Sequence, residues 1–168
     1  ENFQGNVLHI FAQAPDSDII DREDTNTIYF GPGYYDYASQ SPIRVESGQT
    51  LYLAAGAVLR GRVLVSNASN VTICGRGIIL NDFTTSDGYD SVALTLKNNS
   101  NVTIKDVTIL RNSASWSAFM WKCGNVSVEN VKILNPKYAC SDGFDIANSH
   151  DVTFNNLFIR SCDDSIAI

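Results

Sequence analysis

The sequence contains few cations. Lysine and arginine together number 12 against 18 aspartates and glutamates, which gives a net charge of −6 and a pI near 4.7. This balance argues against a nucleic acid or an anionic membrane as the partner. It still allows an anionic sugar polymer, which a local group such as Arg60, Arg62 and Arg76 could meet.

Long apolar segments are also missing. The longest one, residues 51–59, is too short to span a bilayer, which takes about 20 apolar residues. No signal peptide is visible. Because the chain begins at Glu1 rather than methionine and stops at Ile168 inside an expected strand, we interpret it as a fragment of a longer protein.

Cysteines are few and are not spaced for a metal. The four cysteines include no C-x-x-C pair, so a zinc site is not expected and no metal is predicted. Cys140 and Cys162 share a repeat position, and stacking would bring their Cα atoms to about 4.8 Å, within disulfide range. Two buried free thiols are the favoured interpretation, since unpaired cysteine is commonly buried.

Helical periodicity is absent, and short β-branched runs separated by turn residues replace it. The second half repeats a segment of the type Asn-Val-Thr-Ile, whose valine falls at Val71, Val102, Val126 and Val152. Irregular repeats of this size indicate stacked coils with loops of different length. Leucine-rich repeats and propeller blades lack this pattern. We therefore predict an all-β fold, a right-handed single-stranded parallel β-helix of about six coils.

The residue before each repeated valine is suited to a sharp corner. Asn70, Asn101, Asn125 and Asp151 occupy this position. Asparagine and aspartate tolerate the left-handed conformation that such a corner requires. We predict that these four residues stack at one corner of the β-helix.

The N-terminal part has a different pattern. Residues 7–13 resemble a strand, and residues 1–14 are interpreted as the possible last strand of a missing upstream domain. Residues 15–27 are polar and acidic, typical of a linker. Residues 28–168 are predicted to form the N-terminal part of a β-helix catalytic domain.

Three carboxylates coincide in the last two coils. The segment 140–146, Cys-Ser-Asp-Gly-Phe-Asp-Ile, recurs 22 residues later as Cys-Asp-Asp-Ser-Ile-Ala-Ile. Stacking would place Asp142 above Asp164 with Asp163 beside them. Like charges at short range raise one another's pKa, so such a group usually holds a metal or moves protons. For all three to face a cleft, the chain must bend just before Gly143 and Ser165.

The chain resembles glycoside hydrolase family 28, which contains the polygalacturonases, from about residue 28 to residue 168. Asn-Ser-Ala-Ser-Trp at 112–116 is similar to the family's N-S-P-x-W segment, and the acidic segments are similar to its N-T-D-G and G-D-D-C-I-A-I. The resemblance implies that Asp163 is the general acid and that Asp142 and Asp164 hold and deprotonate the attacking water, with inversion. Inversion usually needs acid and base about 6.5–9.5 Å apart. Asp145 is expected to line the cleft and bind substrate.

The resemblance also implies a polysaccharide substrate, most simply a pectic one, no cofactor, a secreted or periplasmic location and a monomer when full length. Three alternatives stay open: a dextranase-like hydrolase of a neutral glucan, a calcium-dependent β-helix lyase, and a non-catalytic carbohydrate-binding β-helix. The resemblance to dextranase-like relatives implies that the missing upstream domain of residues 1–14 is a β-sandwich. The fragment alone is expected to be inactive. Trp116 and Trp121 are interpreted as packing residues in preference to a sugar-stacking platform.

Overall fold

A computed structural model describes residues 7–13, 20–83, 91–112, 114–135 and 138–168. In chain order, its strands are β1 (Thr27–Phe30), β2 (Gly33–Asp36), β3 (Ile43–Arg44), β4 (Thr50–Leu53), β5 (Ala57–Arg60), β6 (Val63–Ser66), β7 (Ser69–Cys74), β8 (Ile78–Asn81), β9 (Leu94–Lys97), β10 (Ser100–Lys105), β11 (Thr108–Arg111), β12 (Ala118–Trp121), β13 (Gly124–Glu129), β14 (Lys132–Asn135), β15 (Phe144–Ala147), β16 (His150–Asn155), β17 (Phe158–Ser161) and β18 (Ile166–Ala167).

The strands form three parallel sheets in which every third strand is a neighbour. Sheet A contains β1, β4, β7, β10, β13 and β16, sheet B contains β2, β5, β8, β11, β14 and β17, and sheet C contains the remaining six. Each coil therefore contributes one strand to each sheet, and the described residues make six coils. The predicted right-handed parallel β-helix is confirmed. No helix among the described residues has the length and apolarity to cross a membrane.

The repeated valines stack in the predicted register. Val71 pairs with Val102, Val102 with Val126, and Val126 with Val152 across four neighbouring strands of sheet A. The first three are almost completely buried, and the valine of β16 is half-buried. The irregular sequence steps are absorbed between strands, so the coil-to-coil register stays fixed.

One apolar core runs along the axis of the β-helix and is built by all three sheets. Ile104 from sheet A, Ile109 from sheet B and Met120 from sheet C are each fully buried in it. Alternation along each strand points one set of side chains into this core and the other set outward. A functional surface on the outer face of a sheet is therefore fixed by the same register as the core.

The corner residues adopt the predicted left-handed conformation, with φ between 53° and 56° at Asn70, Asn101, Asn125 and Asp151. Their side chains also form a ladder between coils. The Asn101 amide donates to the Asn70 side-chain oxygen at 3.1 Å, and the Asn125 amide donates to the Asn101 oxygen at 2.7 Å. Asparagine therefore supplies both the corner conformation and a side-chain bond to the next coil.

Residues 7–13 form no strand in the structure, contrary to the prediction for that segment. They lie along the β-helix: Phe11 packs edge-on against Phe158 at 5.1 Å, and the Gln13 amide donates to Asn130 at 3.2 Å. Residues 1–6 and 14–19 lie outside the described residues. The assignment of residues 1–14 to an upstream domain and of residues 15–27 to a linker stays a prediction, although β1 already begins at Thr27.

We expect Asn101→Ala to lower the free energy of unfolding by about 1 kcal/mol more than Asn101→Gly does. Both variants lose the two ladder bonds, but alanine is strained at a φ of 55° and glycine is not. Urea denaturation of the two variants measures the difference. Equal stability would show that the left-handed corner does not constrain this position.

Candidate active site

Two successive coils approach sheet C through the same local path. Cys140 has a φ of 56°, and the chain then bends at Gly143 before β15 begins. One coil later the chain bends at Ser165 before β18, and Phe144 pairs with Ile166. The two predicted bends are confirmed, and the 22-residue sequence echo is a true stacking register.

Gly143 is required where these two coils meet. A Cβ atom at this position would lie 2.3 Å from the carbonyl oxygen of Ser165 and 2.7 Å from a methyl group of Ile159. The Gly143 amide instead donates to the Asp164 carbonyl at 2.9 Å. The close approach allowed by glycine therefore sets the distance between the Asp142 and Asp164 backbones.

The bends bring three carboxylates together on the outer surface. One oxygen each of Asp142, Asp163 and Asp164 lies within 4.8 Å of the others. Asp163 and Asp164 are exposed, and Asp142 is 7% exposed. Phe144, two residues after Asp142, enters the apolar core. Asp142 is thus buried among the outer acidic groups, not in the core, as the assignment required.

Hydrogen bonds between the two coils hold this arrangement. The Cys140 amide donates to the Asp163 carboxylate at 3.1 Å, and the Cys162 amide donates to the Ser141 hydroxyl at 3.1 Å. The Ser161 hydroxyl donates to the Asp163 carbonyl at 2.9 Å. The earlier coil therefore positions the Asp163 carboxylate of the later coil, and the later coil in turn binds Ser141, the residue before Asp142.

Asp145 is a fourth member of the acidic cluster. The sequence predicts only that it lines the cleft and binds substrate. Its carboxyl is hydrogen-bonded to that of Asp142. Burial, and then the charge of Asp142, raise the pKa of Asp145 to about 7. Burial and the charge of Asp163 also raise the pKa of Asp142. A proton on Asp145 that is donated to Asp142 agrees with the raised pKa of Asp145, whereas the same bond acts against the rise at Asp142, which burial and the charge of Asp163 cause.

The spacing of the acids differs from the sequence-based expectation. The nearest oxygens of Asp142, Asp163 and Asp164 are within 4.8 Å, closer than the roughly 6.5–9.5 Å that is usual between the two carboxyl groups of inverting enzymes. Three carboxylates meet here, whereas the usual distance refers to a single acid–base pair. One water that makes two hydrogen bonds of about 2.7 Å spans a pair of oxygens this far apart.

The same oxygens fit a hard cation. Calcium prefers carboxylate oxygens, and the Asp142 Oδ1 atom is buried without a hydrogen-bond partner among the described residues. Asp163 and Asp164 would supply the other protein ligands. The expectation that the site uses no metal therefore stays a prediction.

Cys140 and Cys162 lie beside the cluster and are both free thiols, as favoured. Both are exposed, however, so the expected burial is wrong. Each cysteine lies on the turn that directs the acidic side chains to the outer surface, and this turn exposes the cysteine as well.

Arg60 and Arg76, two members of the predicted cationic group, each have polar partners within the chain. Arg60 is held between Asp36 at 3.1 Å and Asp82 at 2.7 Å, whereas Arg76 donates to Gln13 at 2.7 Å. Arg60 is therefore neutralised by two carboxylates and is a poor candidate for binding an anionic polymer.

A group of buried polar residues next to residues 114–117 has no signal in the sequence. Arg111 is 1% exposed, and burial lowers its pKa to about 10. Its Nε atom donates to the Ser115 carbonyl at 2.9 Å, and the buried Asn135 amide donates to the same oxygen at 3.0 Å. Arg111 is the last residue of β11 and Asn135 is the last residue of β14. Only the pairing of these two strands shows that both side chains bind the Ser115 carbonyl.

Comparisons with known proteins identify the family and support the fold. The model for "Glycosyl hydrolases family 28" matches residues 64–168. The chain belongs to this family. A crystal structure of a protein from Parabacteroides merdae ATCC 43184, provisionally named a glycosyl hydrolase, has a TM-score of 0.56 and 18% identity over 79% of this chain and 81% of its own. At 18% identity, the similarity to this structure supports the fold of the family 28 chain. No curated protein sequence matches.

We expect the free energy of unfolding of this family 28 chain to fall as pH rises from about 4 to about 7. The pKa of Asp145 is about 7 in the folded state against an ordinary 3.8, so the folded state binds more protons in this window. Asp145→Asn should flatten the slope, as measured by urea denaturation at several pH values. Glu129→Gln, which removes an exposed carboxylate, is the matched control. An unchanged slope in Asp145→Asn would contradict the burial of an ionisable carboxyl at this site.

Proposed function

We propose that this family 28 glycoside hydrolase cleaves a pectic, polygalacturonan-like polysaccharide with inversion. The observation that carries the proposal is the convergence of Asp142, Asp163 and Asp164 on one outer surface. Clustered carboxylates of unequal burial can divide acid and base roles among themselves. The family match and the resemblance to polygalacturonases support the reaction class.

Asp163 is the general acid in this proposal. It is exposed and therefore accessible to a polymer. Its proton passes to the glycosidic oxygen as the bond from that oxygen to the anomeric carbon breaks. A water held by Asp142 and Asp164 attacks the anomeric carbon from the opposite face, and its proton passes to this carboxylate pair. The products are a new reducing end with inverted configuration and the released part of the sugar chain, whose glycosidic oxygen has become a hydroxyl group.

Asp145 is proposed to contact substrate while it maintains the water-holding pair. It lies on the same outer face, and its hydrogen bond to Asp142 fixes that carboxylate. Because its pKa is about 7, it remains largely protonated in mildly acidic solution and adds little negative charge there. An anionic sugar would then meet less repulsion than four ionised carboxylates would cause.

The remaining parts of the proposal concern the intact protein. Its partner is a polysaccharide rather than a nucleic acid or a membrane, it acts as a monomer, and it is secreted or periplasmic. The acidic composition supports the exclusion of anionic macromolecules other than a locally recognised sugar polymer. Dextranase-like action on a neutral glucan is the alternative within the same reaction class.

A calcium-dependent lyase is the second candidate function, because the three carboxylates could bind a cation. A lyase would form an unsaturated, ultraviolet-absorbing sugar and would lose activity with a chelator. The proposed hydrolase forms new reducing ends without that absorption and is insensitive to chelation. The product spectrum therefore separates the two functions.

We expect Asp163→Asn in the intact protein to lower kcat on polygalacturonan by about 10²–10⁴-fold, the usual contribution of a general acid. The side chain keeps its size but loses the transferable proton. A reducing-end assay on polygalacturonan and, in parallel, on dextran measures the effect and identifies the substrate.

Asp151→Asn is the control, because Asp151 is an exposed carboxylate near the start of β16 and is not a member of the acidic cluster. It should keep wild-type activity. Full activity of Asp163→Asn would refute the proposed acid. Unsaturated products would refute hydrolysis, and turnover of dextran alone would refute the pectic substrate.

A further inference from the structure

We propose that the outer face of sheet C beside the acids is an acidic-sugar subsite, in which aromatic rings stack on a pyranose ring and Lys97 binds its carboxylate. The inference rests on the proposed function, because it places this sugar on the same polysaccharide that the carboxylates cleave. It differs from the sequence-based interpretation, in which Trp116 and Trp121 were packing residues.

The strand pairing of sheet C places aromatic residues next to the acidic residues on its outer face. Phe119 of β12 pairs with Asp145 of β15, so these residues are one strand spacing apart, about 4.8 Å. Two residues further along β12, Trp121 pairs with Ala147 on one side and Lys97 on the other. Alternation places all of these side chains on the outer face. A polymer bound at the acids therefore passes over the aromatic rings.

The aromatic side chains line an open concavity of about 420 Å³. Its walls are formed by Lys97, Trp116, Phe119, Trp121 and Ala147. Trp121 is 39% exposed, and the rings of Trp116 and Phe119 lie 5.5 Å apart. Large aromatic residues that share a concave exposed surface, and not the core, are typical of a binding site. The apolar face of a pyranose ring suits such a surface.

The concavity is held rigidly from below. Ser115 immediately precedes Trp116, and its carbonyl accepts hydrogen bonds from Arg111 and Asn135 at 2.9 and 3.0 Å. Both donors are almost completely buried, which is costly unless their hydrogen bonds are made. This arrangement fixes the backbone that carries Trp116.

Charge identifies the class of sugar. The cluster of four aspartates would repel a uronate carboxylate, so an acidic substrate needs a nearby cation. Lys97 lines the concavity, and among the described residues no carboxylate is within ion-pair distance of it. Lys122, whose ammonium lies over one face of the Trp121 ring, 4.4 Å from its centre, covers that face and adds positive potential at the same ring. A neutral glucan would need neither lysine.

Binding in an inactive background tests the subsite. In the Asp163→Asn protein, calorimetry would measure the affinity for a galacturonate oligomer and for a dextran oligomer. We expect Trp121→Ala to weaken galacturonate binding about tenfold, as the loss of one stacked ring implies. Trp121→Tyr, which keeps an aromatic ring, should stay within about threefold of the parent. Lys97→Met should weaken galacturonate binding about tenfold, as the loss of a charge-assisted contact implies, and leave dextran binding unchanged.

Phe158→Ala is the matched control, because Phe158 is a similarly exposed aromatic residue, 38% exposed, on sheet B. It should bind as the parent does. Wild-type affinity in Trp121→Ala would overturn the stacking role, and wild-type galacturonate affinity in Lys97→Met would overturn the acidic-sugar assignment. These binding results are separate from the proposed chemistry. An active Asp163→Asn protein would refute the general acid and leave the subsite in place.

Discussion

Parallel backbone pairing between coils is the constraint on which the rest of this structure depends. Each strand bonds to the equivalent strand one coil away, as in the pairing of Val102 with Val71 and Val126. A shift of one residue would exchange the inner and outer faces of every strand. An asparagine or aspartate in the left-handed conformation lies at the same corner in four successive coils, as the second residue of β7, β10, β13 and β16, and holds the strands in this register. The core and the outer surfaces are thus set by one register.

The same register assembles a group that electrostatics opposes. Asp142 and Asp164 occupy equivalent positions on neighbouring coils, so pairing of Phe144 with Ile166 brings like charges together. Burial and repulsion raise the pKa values of Asp142 and Asp145. A site of this kind is tolerated only because the backbone over-determines it. Gly143 permits the close approach, and amides of one coil bind oxygens of the other.

The sequence predicts the parts of the structure that repeat. The valine ladder, the asparagine corner and the convergence of Asp142, Asp163 and Asp164 follow from the spacing of similar segments. The structure adds what lies between repeats. Asp145 enters the acidic cluster because its side chain points outward beside the bend, and Arg111 meets the loop before Trp116 because sheet B ends beneath it. Neither contact has a periodic signal, since each joins a strand to a non-repeating turn.

The central claim is that Asp142 and Asp164 hold a water that attacks the sugar directly, although the acids are spaced as closely as in many retaining enzymes, about 5–5.5 Å. Proton NMR of the first product released from polygalacturonan by the intact protein tests this directly. Direct attack predicts that the new chain end has the anomeric configuration opposite to that of the cleaved bond. Retention of configuration would instead show a covalent intermediate on one of the aspartates and would contradict the account.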